Sequence, residues 1–460
     1  MALTIPVAEI VENSKNPLLG KHESWGRVLL GEIAKIQNGF PFKSSQFTKD
    51  EGIPLIRIRD VGADSTDTNY VGEYDPAYLV EAGDFLIGMD GDFNCARWRG
   101  PKGLLNQRVC RVILKSDIYH PKLLDYALPG YLKAINDMTS SVTVKHLSSK
   151  SIAEIPLPLP PMDQQKRIVA EIEKQFSRLD EAVANLKRVK ANLKRYKAAV
   201  LKAAVEGRLV ETEAELARRE GRSYETGEQL LQRILETRRS QWQGKGKYKE
   251  PTAPDTTDLP ELPEGWVWAN FECAAERVTV GHVGSMKNEY VEQGIPFLRS
   301  QNVRENRYDP EGLKYVSEEF HRQLSKSTLR PGDIVVVRSG SVGVSCVIPV
   351  HLREANCSDL VIIKNPQAVL PEFGAYYMNS VVETRVSAGK VGVALTHFNT
   401  QSVAELPLPV PPMTEQHRIV AEVDRRLSLL REAGGQVDAN HQRAGHLRQA
   451  ILHIAFGGVM

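Results

Sequence analysis

A chain of 460 residues is too long for one ordinary hydrophobic core, so two or more domains are expected. Hydrophobic content of 42% and charged content of 25% are those of a soluble globular protein, which excludes a largely disordered or membrane-embedded chain. The net charge of +2 excludes recognition of a polyanion by overall charge, so an acidic partner must be met by a local cluster of cations.

From the N-terminus, MALTIPVAEIVENSKNP lacks the apolar run of a signal peptide, and no later stretch approaches the roughly 18 apolar residues of a membrane span. Five cysteines (Cys95, Cys110, Cys273, Cys346, Cys357) form no CxxC pair. Free thiols and a cytoplasmic location are therefore expected, with no membrane partner.

The first part of the chain alternates short β-rich runs, PLIRIRDV (54–61), DFLIGM (84–89) and RVCRVIL (108–114), with Gly, Pro, Asp and Asn punctuation. A helical stretch, HPKLLDYALPGYLKAI (120–135), follows. This reads as a mixed α/β head whose strand order is open. Within it, Asp75-Pro76-Ala77-Tyr78 is one residue away from the DPPY motif of amino-methylating DNA methyltransferases. Polar residues precede it and no glycine-rich strand–turn–helix element supports it, so it is expected to be a surface turn.

Pro160-Pro161 closes an extended segment just ahead of a helix, with Asp163 as N-cap or first-turn residue. From there to Leu209 there is no proline, and no glycine before Gly207. Ile168, Ile172, Phe176, Leu179, Val183, Leu186, Val189, Leu193, Tyr196 and Val200 recur every three or four residues. A helix of that length, about 65 Å at 1.5 Å per residue, needs a partner along its apolar seam. Lys187, Lys190, Lys194 and Lys197 form a stripe beside the seam. Such a stripe can be a solvated face, can track phosphates or can face an acidic partner subunit.

Residues 211–262 read as two short helices, ETEAELARRE and YETGEQLLQRILETRRSQW, and a charged, proline-rich linker. A second head follows, with runs PFLRSQNV (296–303), DIVVVRS (333–339) and DLVIIK (359–364) and the helical stretch 371–386. VGHVGS (280–285) and GSVGVSC (340–346) are glycine pairs expected in turns rather than phosphate loops. A second long helix from Thr414 carries Ile419, Val423, Leu427, Leu430, Val437, Leu447 and Ile451 on its seam, with Gly434-Gly435 as a place where it could bend or break.

These halves are copies. AEIPLPLPPMDQQKRIVAEIEKQFSRLD (153–180) and AELPLPVPPMTEQHRIVAEVDRRLSLLR (404–431) match at 16 of 28 positions at an offset of 251, which also joins His146 to His397 and 198–209 to 449–460. Weaker echoes link the heads: GIPLIRIRDV (52–61) with GIPFLRSQNV (294–303), and AGDFLIGMDG (82–91) with PGDIVVVRSG (331–340). The chain is a duplicated unit of about two hundred residues, with divergent fronts and well-matched backs. The long helices can pair antiparallel within one molecule, an intermolecular coiled coil being the alternative.

No GxxxxGK[ST], HExxH, GxSxG or CxxC pattern accompanies these elements, and the histidines lie singly. The heads instead carry donors suited to base edges, where Arg reads guanine and Asn or Gln reads adenine. In the first head these candidates are Lys43, Arg57, Arg59, Arg97, Arg99 and Lys145. In the second they are Arg299, Gln301, Asn302, Arg304, Arg338, Ser339, Ser341 and Asn399.

PLPLPPMDQQKRIVAEIE, AAVLKAAVEGRLVETEAEL, LPELPEGWVWANF and PLPVPPMTEQHRIVAEVD together resemble the specificity subunits of Type I restriction-modification systems, over nearly the whole chain. The first head departs from the pattern, opening ESWGRVLLGEI (23–33) in place of LPEGW. The resemblance implies an α+β fold. Two mixed α/β target recognition domains (1–155 and 263–406) are separated by two long antiparallel helices (156–210 and 407–460) as a coiled-coil spacer, with 211–262 as linker and an internal pseudo-two-fold duplication. It implies a non-catalytic subunit, one copy per complex, reading a bipartite asymmetric site on double-stranded DNA. Two methyltransferase subunits would use S-adenosylmethionine on adenine N6, and two motor-nuclease subunits would use ATP and Mg. The cofactors belong to those partners and none to this chain. A competing reading is a coiled-coil scaffold whose heads bind proteins; an enzyme with its own active site is disfavoured by the missing motifs.

Overall fold

A computed structural model describes residues 5–14, 16, 19, 22, 24–139, 145–244, 246–387 and 399–457, with backbone alone for 382–387. His397 lies outside the described residues. The contacts divide the chain into two compact units, residues 1–187 with 438–460 and residues 188–437.

In the first unit, a four-stranded antiparallel sheet runs in the order Ala34–Asn38, Val109–Leu114, Phe85–Gly88, Cys95–Arg97. A second sheet joins Ile53–Ile56 in parallel to Gly103–Leu105. The helix Pro121–Met138 places Leu123, Leu124, Ala127, Leu128, Tyr131 and Ile135 in the core, at helical spacing. The second unit repeats the pattern. Ala275–Val280, Leu360–Pro366, Ile334–Val337 and Ser345–Val347 form the four-stranded sheet. Ile295–Leu298 pairs in parallel with Asn356–Cys357, and the helix Pro371–Ser387 stands where Pro121–Met138 stands in the first. The strand order left open by the sequence is the same in the two four-stranded antiparallel sheets, while the second sheet has five strands in the first head and four in the second.

Each unit closes its head with a two-stranded antiparallel ribbon. Gly26–Leu29 pairs with Pro156–Leu159, and Val267–Asn270 pairs with Pro407–Val410. The PLPL and PLPV runs, whose prolines suit an edge strand, are these closing strands. A long helix leaves each ribbon directly: Met162–Val205 and Met413–Phe456, each 44 residues.

The repeated glutamine of the MxxQ turn sets the direction of that departure. Gln165 is fully buried; its amide donates to the carbonyls of Ile118 (2.9 Å) and Pro160 (2.8 Å) and accepts from the N–H of His120 (2.7 Å). Gln416 repeats the set, donating to Ala368 (2.9 Å) and Pro411 (2.9 Å) and accepting from Leu370 (2.7 Å). One side chain ties the first helical turn, the closing strand and the start of the head's own helix. A tryptophan adds a second tie: Trp25 Nε1 donates to Gln164 (3.2 Å), and Trp266 Nε1 donates to Glu415 (3.0 Å).

The first long helix ends at Val205 with Gly207 in the left-handed region (φ 68°) and the Arg208 N–H on the Ala203 carbonyl, 2.8 Å away. This is the Schellman stop that the glycine permits. The second long helix does not break at Gly434-Gly435. Two glycines cost about 1 kcal/mol each in a helix, and Leu427 and Val437, buried on either side, hold the segment in register. Leu447 is not a seam residue, being 53% exposed; Ala444 is buried in its stead.

Gln165→Ala and Gln416→Ala each strip three hydrogen bonds from buried backbone, and each is expected to lower stability by about 2–4 kcal/mol. A denaturant titration of either variant showing a loss below about 0.5 kcal/mol, the range of ordinary surface changes, would contradict the clasp.

Candidate nucleic-acid interface

The candidate donors of the first head separate into bound and available groups. Arg97 is bound: Nε and Nη2 form a fork on Asp125 (2.7 and 2.8 Å), Nη1 donates to the Gly83 carbonyl (2.6 Å), and the guanidinium lies over Phe85. Lys145 is also held, donating to the carbonyl and side chain of Asn136 (2.7 and 2.9 Å). Both therefore stitch the strands of the head to its helix rather than extend toward a ligand. Arg59 is exposed but pairs with Asp67, and Arg99 is exposed with one bond to the Gly62 carbonyl (3.1 Å). Lys43 is exposed beside a single 3-10 turn. Arg57 is half-buried at the end of the strand Ile53–Ile56, and its guanidinium meets no carboxylate among the described residues.

In the second head, Arg299 stands where Arg57 stands in the first. Arg57 N–H donates to Asp60 Oδ2 (2.8 Å) and Arg299 N–H donates to Asn302 Oδ1 (3.0 Å), each closing a 3-10 turn. Asn302 is thereby removed from the candidates. It is fully buried, and its amide nitrogen donates to the carbonyls of Asp309 (3.0 Å) and Glu311 (3.1 Å). Asn399 has a structural duty too: it caps the helix Thr400–Ala404 by accepting from the Ser402 N–H (2.7 Å), as Ser148 caps its equivalent. Arg299 and Gln301 converge on the Gly312 carbonyl (2.7 and 3.4 Å), Arg304 pairs with Asp309 (3.1 Å), and Arg338 and Ser339 both reach Asp359 (2.8 and 3.5 Å). Ser341 is exposed in the turn that follows.

Of the lysine stripe, Lys187, Lys190 and Lys194 are exposed, while Lys197 pairs with Glu305 at 2.7 Å. Asp75 caps a 3-10 turn by accepting from the Ala77 N–H at 2.8 Å, and Tyr78 packs on Phe40 and Phe42. That is the surface turn its polar surroundings predict. No disulfide joins the cysteines, and burial pushes the thiols of Cys95, Cys110, Cys346 and Cys357 up to about 12, so they stay protonated at neutral pH. Among the described residues no three His, Cys, Asp or Glu gather as a metal set, and no helix is long and apolar enough to cross a membrane.

One cluster escapes a reading by residue type. Asp90 holds His146 (2.6 Å) and Arg108 (3.3 Å) at one end of the first head's four-stranded sheet. The registers Val109↔Gly88 and Leu360↔Val337 place Arg108 opposite Asp359 in the repeat, and Met89 opposite Arg338. Arg108 of the first head is thus replaced by Asp359 in the second, and its partner charge moves by one position, from Asp90 to Arg338 in place of Met89. The only sequence signal is a charge difference between the weakly aligned front parts.

Residues 22–195 and 281–428 match the family model described as the Type I restriction modification DNA specificity domain. The chain belongs to that family. It is 32% identical to the Escherichia coli Type I restriction enzyme EcoBI specificity subunit over 98% of this chain and 89% of the relative. The EcoKI specificity subunit of Escherichia coli K12 is 22% identical over 95% and 89% of the two chains. In fold, this specificity-family chain is similar to the HsdS subunit from Thermoanaerobacter tengcongensis (TM-score 0.51, 15% identity, 95% and 98% covered). It is also similar to a chain from a structure on complex assembly and conformational transition of the type I R-M system (TM-score 0.65, 16% identity, 95% and 99% covered). Both matched segments are DNA-specificity domains, so the family supports a role in DNA sequence specificity for both heads.

Within these domains the buried and exposed candidates should separate in one experiment. Asn302→Ala is expected to cost about 2–3 kcal/mol because it orphans buried backbone groups. Arg99→Ala, at an exposed side chain, is expected to stay within about 0.5 kcal/mol of the parent in the same denaturant titration.

Proposed function

We propose that this chain is the non-catalytic specificity subunit of a Type I restriction-modification enzyme, one copy per complex, reading a bipartite asymmetric site on double-stranded DNA. The observation that carries the reading is one frame used twice under unlike surfaces. Gln165 and Gln416 make the same three bonds, while the first head carries the pair Asp90–Arg108 and the second the pair Arg338–Asp359. A common frame presents each surface in the same way, and unlike surfaces read unlike sequences.

The long helices would serve as an antiparallel spacer. Two contacts, each inside one unit, support this. In the first unit Arg448, late in the second helix, donates to Asp180 (2.8 Å) and lies over Phe176, early in the first, and Ala455 and Phe456 share a core with Ile168 and Ile172. In the second, Val200 and Leu201 share a core with Ile419, Val423 and Leu427, and Arg426 donates to Tyr196 (3.4 Å). Early residues of each helix meet late residues of the other. The repeated stalk halves would offer like docking surfaces to two methyltransferase subunits, which modify adenine N6 with S-adenosylmethionine, and to two motor-nuclease subunits working with ATP and Mg. Arg57, Arg99, Arg299 and Gln301 are the preferred base-facing groups; Lys187, Lys190 and Lys194 are the preferred phosphate-facing groups.

Exchanging residues 1–155 for another head is expected to change one half of the methylated motif only. Mapping methylated adenines in host DNA checks this, and a change in both halves overturns independent reading. Four residues inserted within 183–195, about 6 Å of helix, are expected to alter the unread spacing or abolish binding with the bases of each half unchanged. Recovery of the original spacing at full affinity refutes the spacer. Lys187→Ala with Lys194→Ala is expected to weaken binding equally across sequences and to flatten the salt slope by about one for each phosphate that a removed lysine had neutralised.

A further inference from the structure

Where the first strand of the four-stranded sheet ends, each head passes its chain over the neighbouring strand through a glycine and sets down a ring. Gly39 N–H donates to the Val109 carbonyl (3.0 Å) and Phe40 N–H to that of Leu105 (2.9 Å). Gly281 N–H donates to Leu360 (2.8 Å) and His282 N–H to Cys357 (2.8 Å) in the same way. A Cβ on Gly39 would collide with the Asn106 carbonyl, and one on Gly281 with the Cys357 carbonyl, so only glycine lets the backbones approach this closely. Phe40 then bridges in parallel to Asn106, and His282 to Ser358. On the other side of that residue lies the second sheet: Asn106 N–H donates to Ile56 (3.2 Å) and Ser358 N–H to Leu298 (3.0 Å). Arg57 and Arg299 are the next residues of those strands.

Each head therefore sets one ring and one arginine on neighbouring strand ends. The arginine is common to both heads and half-buried in both; the ring is exchanged. Phe40 rests on Phe42 and Tyr78 (ring centroids 5.1 and 5.2 Å apart) and is still 42% exposed. His282 is half-buried, edge-on to Phe320 (5.6 Å), and its ring nitrogens have no hydrogen-bond partner among the described residues. A phenyl ring offers a base edge only apolar contact, and the apolar group that a major groove presents is the thymine 5-methyl. An imidazole offers a hydrogen bond and so reads a donor or an acceptor. A constant cation beside an exchanged ring is what two readers built on one frame need in order to differ.

We propose that Phe40 and His282 are specificity-determining residues at equivalent places of the two heads. Phe40 contacts the 5-methyl group of a thymine in the half-site of the first head, and His282 hydrogen-bonds a base edge in the half-site of the second. Arg57 and Arg299, alike on the adjoining strand, bind beside them without setting the difference. This rests on the reading of both heads as DNA readers, and the experiment below separates the failure of one from the failure of the other.

Methylation mapping combined with the exchange of residues 1–155 identifies the half-site of the first head. A motif that does not follow the exchange overturns the DNA reading and this inference with it. In the duplex so defined, each thymine of that half is replaced in turn by deoxyuridine, which removes the methyl group and keeps the base pairing. Binding is titrated with the full-length protein and its co-purified subunits. Deoxyuridine at one position is expected to weaken binding about fourfold, the worth of one buried methyl-sized group. Phe40→Ala is expected to bind the thymine duplex about as weakly and to be indifferent to deoxyuridine at that position. His282→Ala is expected to relax one base of the other half in the methylated motif and none in the first. Tolerance of every deoxyuridine by the unaltered protein overturns the inference, and that arm needs no variant to fold. A Phe40→Ala protein that keeps the parent's sensitivity, or a His282→Ala map identical to the parent's, overturns it too; in all three cases the DNA reading stands.

Discussion

A buried primary amide has four hydrogen-bonding positions and a steep cost for leaving them empty. Gln165 and Gln416 each use three of them on backbone of two segments, the run into the head's own helix and the residue after the closing strand. The helix cannot rotate on its axis or slide along the ribbon without breaking all three at once. Everything beyond the clasp inherits its direction: the apolar seam, the lysine stripe on the same helix, and the face of each head set against it. The tryptophan tie from the ribbon to the preceding helical residue (Trp25 to Gln164, Trp266 to Glu415) makes the junction a two-point fixture.

Once orientation rests with a few buried groups, the rest of each head is released to differ. Asp60 and Asn302 close the same 3-10 turn with different chemistry, and the cap of the short helix is Ser148 in one unit and Asn399 in the other. Such exchanges preserve an acceptor at a fixed point and alter nothing in the frame. The exchange of Asp90–Arg108 for Arg338–Asp359 is a change of another kind, at the end of a sheet, where it alters the field outside the protein.

The two carboxylates at the linker junction show how one location can treat like groups differently. Burial drives the Glu415 carboxyl above its ordinary range, against the indole and backbone N–H groups that donate to it. Burial also opposes ionisation of Glu213, but Arg418 and Arg222 outweigh it and hold that carboxyl below its ordinary range.

Duplication, the long helices and the character of the heads follow from sequence alone, because each is written in local or periodic terms. Repeats share an offset, helices show a spacing of three or four, and prolines mark the closing strands. A left-handed residue at a helix end selects glycine, and Gly207 ends the first long helix inside the 156–210 span. The work of individual polar side chains was not legible in this way. Arg97, Asn302 and Asn399 have the right chemistry for base edges, yet Asp125, the Asp309 and Glu311 carbonyls and the Ser402 N–H hold them. Those partners lie from three to 28 residues away, and no pattern of residue types distinguishes a donor facing its own backbone from one facing solvent. Likewise Gly434-Gly435 stayed helical because buried neighbours on either side decide what a weak propensity cannot. Sequence fixes which groups a chain owns and how they recur along it; tertiary packing alone decides which of them are already spent.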